Sequence, residues 1–199
     1  MPAAGSPLQR WWPPFLVVLF VGVAYANALQ ASFQFDDWDV IVRDPRVQHL
    51  AAWWSSLPGM RPVLKLSYAL NHASGAGVAG FHAVNVAIHA GNGLLILVLV
   101  RRFAIQLAET PAVAGWLALA TALIFVLHPV QTEAVTYASG RSTSLSALFA
   151  LASVAAWVSW RARPGRPVWL FLASLLLMVA GIATKETAAI VPAVLVLWE

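Results

Sequence analysis

Asp36 and Asp37 stand side by side in the phrase Phe33-Gln34-Phe35-Asp36-Asp37-Trp38-Asp39, just past the first long apolar run of the chain. Carboxylates at the mouth of a membrane helix lie where water meets lipid. There they are placed for acid–base chemistry on a substrate that is itself half in the membrane. The bland alternative is an acidic surface turn that only serves topology. Two later stretches carry ionisable residues of the same kind. One reads His128-Pro129-Val130-Gln131-Thr132-Glu133 and continues to Gly140-Arg141-Ser142, and the other holds Lys185-Glu186. A divalent metal held by His128, Glu133 and the aspartates is conceivable, but no ligand spacing specifies one.

The elements that must position these groups are membrane helices. The chain has 199 residues, of which 60% are hydrophobic and 10% charged, and its mean hydropathy is +0.76. Apolar windows long enough to cross a hydrocarbon core of ~30 Å recur along it. They fall at roughly 13–30, 81–100, 113–130, 142–160, 168–184 and 187–199. The expected class is an all-α polytopic bundle of about six transmembrane helices, and the segments are too long and too uniformly apolar for a β-barrel. The one long polar excursion, 31–80, forms the first outer loop.

Charge orients the bundle. With alternating spans, Arg10, Arg101, Arg102, Arg161, Arg163 and Arg166 share one side, opposed there only by Glu109. The other side holds a balanced mixture that includes Asp36, Asp37, Glu133, Arg61, Lys65, Arg141 and Lys185. The positive-inside rule then puts the N-terminus in the cytoplasm and loop 31–80 outside. The net charge of +4 is explained by this topology, so nucleic acid is not an expected partner. The lipid bilayer is. Arginine-rich, alanine-rich usage points to a GC-rich bacterial genome, hence a bacterial inner membrane with the active face periplasmic. The absence of cysteine excludes disulfides and thiolate metal sites.

The start of the chain admits two readings. Arg10, the run Phe15–Ala24 and Ala26-Asn27-Ala28 fit a cleavable signal peptide. Trp11 and Trp12 fit an interfacial belt and Pro13-Pro14 a helix start, and the uncleaved anchor is the preferred reading. Loop 31–80 lies outside either way. At the other end, the run Thr187–Trp198 reaches only about 18 Å as helix. The expectation is that residues 1–199 are the N-terminal part of a larger membrane domain.

Within the loop, Asp44-Pro45 favours a turn, and Trp53 and Trp54 suit the headgroup level. Arg61-Pro62 opens Val63–Asn71, where Val63, Leu66 and Leu70 recur at helical spacing, as in a short amphipathic helix on the membrane surface. In the second span His82, Asn85, His89 and Asn92 share one face. For the deeper pair, His89 and Asn92, interhelical hydrogen bonding and a place on a wet site stand equally open, whereas His82, near the outer surface, is a site candidate. The stripe Ser139, Ser142, Ser146 and Ser153 reads as close packing.

Taken together, Phe35-Asp36-Asp37, Arg61-Pro62-Val63, Gly80-Phe81-His82-Ala83-Val84-Asn85 with His89, His128-Pro129-Val130-Gln131-Thr132-Glu133 with Gly140-Arg141, and Lys185-Glu186 carry a resemblance. They are similar, in order, to the transmembrane part of the tetratricopeptide-repeat-containing proteins like protein O-mannosyltransferases, within the GT-C glycosyltransferases. The resemblance covers about 33–192. It implies an inverting transfer of a hexose, mannose for preference, from a polyprenyl-phosphate donor to an acceptor hydroxyl outside the cytoplasm, that of a protein Ser or Thr for preference or else of a glycan. It implies Asp36 as base, Asp37 as its support, and Arg61, Arg141 and Lys185 as cations for the leaving phosphate, with Arg61 first. His82, His128 and Glu133 would join the substrate site. The family's repeats and remaining membrane helices are absent from this sequence, and because those helices complete the donor groove in the family, activity from these residues alone is not expected. Two other classes stay open. A transporter would place ionisable groups at mid-membrane, and a scaffold would present repeats to partners without needing Asp36 or Asp37.

Overall fold

The computed structural model describes residues 7–56, 59–107 and 109–198. Among these residues the chain is helical without a strand. Helix α1 spans Pro7–Ala24 and runs into a 3-10 turn at Ala26–Gln30. Short elements then follow in the polar loop: a π turn at Trp38–Val42, α2 Pro45–Gln48, α3 Leu50–Ser55 and α4 Pro62–Ala73. The bundle continues with α5 Gly77–Gln106, α6 Pro111–Leu127, the short α7 Thr132–Thr136, α8 Arg141–Ala162, α9 Val168–Ile182 and α10 Val191–Trp198.

A helix falls in each of the six expected apolar windows. Two of them, α5 and α8, are long and apolar enough to cross a membrane, and a third span arises if α6 and the segment after it count as one. That third unit bends by 52° at its break. The cause is local: His128 precedes Pro129 and is driven out of the helical region, to φ −66° and ψ 130°. Helix α9 has 15 residues, about 22 Å of rise, less than the ~30 Å core.

Close approach holds the first half together. Val17 and Val21, one turn apart, are 0% and 1% exposed and pack against α5 and α6. Gly93 permits this contact, because a Cβ there would lie 2.5 Å from Val126 Cγ1 and 2.9 Å from Val17 Cγ1. Polar groups on α5 complete it: His89 Nε2 lies 3.1 Å from the Val126 carbonyl, and Asn92 donates to the Ser144 carbonyl at 2.9 Å. In the second half α8 and α9 form an antiparallel hairpin with Ser153 and Ser174 hydroxyls 3.1 Å apart. Of the serine stripe, Ser146 and Ser153 pack between helices, whereas Ser139 and Ser142 are half-buried and line a cleft at the end of the bundle.

Helix α4 exists where expected but buries another face. Leu64, Tyr68 and Asn71 turn to the bundle, while Leu70 is 53% exposed. Of the expected apolar stripe, Val63 and Leu66 are half-buried and only Leu70 is exposed. The inward face joins an apolar cluster with Ile41, Val47 and Phe81 and polar partners that the loop alone does not reveal.

Candidate active site

A cleft of about 460 Å³ opens at the end of the bundle where the polar loop meets the connections after α6 and α9. Asp36, Arg61, Glu133 and Lys185 all line it, joined by Phe35, Tyr68, Tyr137 and Thr143. Four of the eight residues singled out from the sequence therefore converge. They come from four separate stretches of chain.

Asp36 is exposed on the cleft wall, and its carboxylate makes no hydrogen bond among the described residues. Its neighbours fix its place. Phe35 takes a left-handed φ of 41°, a conformation a non-glycine residue adopts at a cost of about 1–3 kcal/mol. Asp37 is 0% exposed, its Oδ1 accepting the Ser139 amide at 2.7 Å and its Oδ2 the Gln34 amide at 3.0 Å. Both oxygens are spent on backbone donors. Asp37 thus anchors the turn while Asp36 stays open to the cleft.

The cations are mounted differently. Arg61 has φ 57° directly before Pro62, a second left-handed residue on the cleft wall. The Val63 amide donates to the Ala183 carbonyl at 3.2 Å, pinning the start of α4 to the end of α9. Arg61 Nη2 donates to both Glu186 oxygens, at 2.9 and 3.1 Å, while its Nε is buried without a partner. A hydrogen bond from its own backbone amide, then one from Arg61, hold the Glu186 carboxyl below its usual range. Lys185 Nζ donates to the Thr143 hydroxyl at 2.8 Å.

The remaining residues sit elsewhere. Arg141 does not line the cleft. It is 0% exposed at the start of α8, where Nε donates to Asn85 Oδ1 at 2.8 Å. Its Nη2 reaches Asn71 Oδ1 at 2.7 Å and the Phe81 carbonyl at 2.9 Å, and Nη1 reaches the Ser67 carbonyl at 3.1 Å. The guanidinium also lies 5.0 Å from the Tyr68 ring centre. With its donors spent, Arg141 ties α4, α5 and α8 together and offers a leaving phosphate no free hydrogen. His82 is likewise 0% exposed, its ring beside the Ala31 and Thr136 backbone without a well-formed hydrogen bond among the described residues. His128 is exposed and caps the turn at Pro129–Gln131, its Nδ1 accepting the Val130 amide at 3.1 Å.

No group of three His, Cys, Asp or Glu side chains that could hold a metal exists among the described residues. The conceivable set of His128, Glu133 and the aspartates is not assembled. Among the hydroxyl-bearing lining residues, the sequence reading missed Tyr68, Tyr137 and Thr143. Tyr68 follows Leu64 by one turn on the inward face of α4, a signal masked by the stronger apolar stripe. Its hydroxyl is pushed up by burial, so it stays protonated. Tyr137 meets Phe35 edge to face, with ring centres 6.0 Å apart.

The chain is similar to proteins named as protein O-mannosyl-transferases. Tmtc2 of Drosophila melanogaster is 30% identical over 83% of this chain and 19% of its own length. TMTC4 of Homo sapiens is 32% identical over 71% of this chain and 22% of its own. TMTC3 of Mus musculus is 27% identical over 88% of this chain and 20% of its own. The chain thus spans about a fifth of the length of the curated relatives it matches. No protein-family model matches it, and no solved structure does.

Proposed function

We propose, from the chain's homology to the protein O-mannosyl-transferases, that it forms part of a membrane glycosyltransferase acting on a protein hydroxyl. The observation that carries this is the cleft itself, whose lining brings the unpaired carboxylate of Asp36 together with Glu133 and two cations, Arg61 and Lys185. The donor in this reading is a polyprenyl-phosphate hexose. Six spans, with α1 retained and α9 and α10 crossing beside the longer helices, hold the cleft at the outer, periplasmic face in a GT-C arrangement. Burial of Val17 and Val21 against α5 and α6 supports retention of α1.

The reaction balances on these residues. The acceptor oxygen attacks the sugar's anomeric carbon from the face opposite the phosphate, and its proton passes to the Asp36 carboxylate. The bond between the anomeric carbon and the phosphate oxygen breaks, with inversion. The electron pair leaves on the lipid phosphate, where Arg61 and Lys185 stabilise the added charge. Glu133 faces the same space and binds hydroxyls of the sugar or the acceptor. Asp37 keeps the turn in register, and Arg141 keeps Tyr68 and α4 in place behind it.

The test uses the complete protein in its membrane. Asp36→Asn is expected to lower sugar transfer to an exported acceptor by about 10²–10⁴-fold, the usual worth of a positioned base, with expression unchanged. Transfer at the normal rate by this variant would overturn the assignment.

A further inference from the structure

The proposed transfer changes the charge in the cleft. A polyprenyl-phosphate sugar is a phosphodiester with one negative charge, while the departing lipid phosphate is a monoester carrying about 1.5 to 2 near neutral pH. Cations that hold the donor hold the product more tightly, and the product must still leave.

Glu186 stands at this point, and neither the homology nor the reaction assigns it a role. Its carboxylate meets Arg61 through one nitrogen only, Nη2, at 2.9 and 3.1 Å. The parallel two-nitrogen fork of a tight arginine–carboxylate pair is not formed. The pair is open to solvent, with side chains 36% and 69% exposed, and such pairs contribute about 0–1 kcal/mol. Arg61 does not need Glu186 to stay in place, because Pro62 and the bond from the Val63 amide to the Ala183 carbonyl fix its backbone. Lys185, next along the chain, donates to a neutral hydroxyl, and its charge adds to that of Arg61 in holding the Glu186 carboxyl ionised.

We infer that Glu186 is the displaceable counter-ion of the phosphate seat. It holds Arg61 while the cleft is empty, yields it to the donor phosphate, and retakes it as the lipid phosphate departs. The inference rests on the reading of Arg61 as a phosphate ligand. No covalent step is involved, only the exchange of one anion for another on a fixed guanidinium.

The experiment measures binding of farnesyl phosphate, a short isoprenyl monophosphate, to the complete detergent-solubilised protein, with uncharged farnesol as control. Glu186→Gln is expected to tighten farnesyl phosphate roughly two- to fivefold, the measure of an exposed ion pair, and to leave farnesol unchanged. In turnover the same variant is more strongly inhibited by the lipid-phosphate product. Arg61→Gln loses most of the affinity, and the double variant matches Arg61→Gln. Unchanged or weaker binding by Glu186→Gln overturns the inference and leaves the proposed function standing. Wild-type affinity in Arg61→Gln overturns the phosphate seat and the inference together. The role of Asp36 as base falls separately, on the transfer assay of Asp36→Asn.

Discussion

Asp37 Oδ1 accepts the Ser139 backbone amide at 2.7 Å, joining residues 102 apart in sequence. The bond clamps the turn after α1 to the connection before α8, and Asp36 projects from that turn into the cleft. Adjacent carboxylates thus have opposite surroundings, one with both oxygens buried on amides and one exposed.

The two therefore separate in a stability measurement. Asp37→Asn keeps one acceptor oxygen and sets an NH2 group against an amide, so one buried donor goes unpaired. The expected loss is about 1–3 kcal/mol, read as a lower unfolding midpoint in detergent. Asp36→Asn, on an exposed side chain, is expected to stay within about 0.5 kcal/mol of the parent. Equal midpoints for the two variants would remove the structural role given to Asp37.

Arg141 is predicted to be a fold residue. Its three nitrogens serve two asparagine oxygens and two backbone carbonyls. Lysine carries a charge there without the planar fork, and leaves at least one buried acceptor empty. Arg141→Lys is expected to destabilise by about 1–3 kcal/mol and to increase proteolysis in the segment from α4 to α5. Wild-type stability together with weakened binding of farnesyl phosphate would instead place Arg141 among the phosphate ligands.

These cases show what the sequence discloses and what it hides. The apolar windows announced the helices, because a bilayer demands composition before it demands packing. The cleft was legible where ionisable residues interrupt apolar sequence at connections: Asp36, Arg61, Glu133 and Lys185 are found that way. Burial was not legible. Arg141 and Asn71 are 70 residues apart, and nothing local distinguishes an arginine that faces a substrate from one that faces an asparagine. The orientation of α4 was hidden likewise, since its inward face joins the apolar Leu64 and Tyr68 to Asn71, which meets Arg141, and the loop sequence shows neither set of partners.

Gly93 is predicted to tolerate no side chain. A Cβ at 2.5 Å from Val126 Cγ1 requires the Val126 side chain or α6 to shift, and Val17 of α1 contributes a second contact at 2.9 Å. Gly93→Ala should cost about 1–3 kcal/mol through overpacking. Adding Val126→Ala removes the shorter contact, so the double variant should recover part of the loss. A double variant that is simply the sum of two destabilising changes would show that the helices are not in contact there.

Asp44 supplies a pH-dependent contribution to stability. It N-caps α2, accepting the Arg46 amide at 3.0 Å, and its oxygens take Arg46 Nε at 2.7 Å and Nη2 at 2.8 Å. Burial alone would raise its carboxyl, but the hydrogen bonds and charge of Arg46 outweigh burial and bring it below the usual value. A carboxyl lowered in the folded state binds protons more readily when unfolded. Its stabilisation is therefore complete above the unfolded value near 3.9 and disappears as pH falls through the lowered folded value. Asp44→Ala should cost about 1 kcal/mol at pH 7, as for other lost caps. The gap in unfolding midpoint between parent and variant should narrow as the pH is taken from 5 to 3. A gap that holds constant over that range would mean that the ionised carboxylate is not what stabilises this turn.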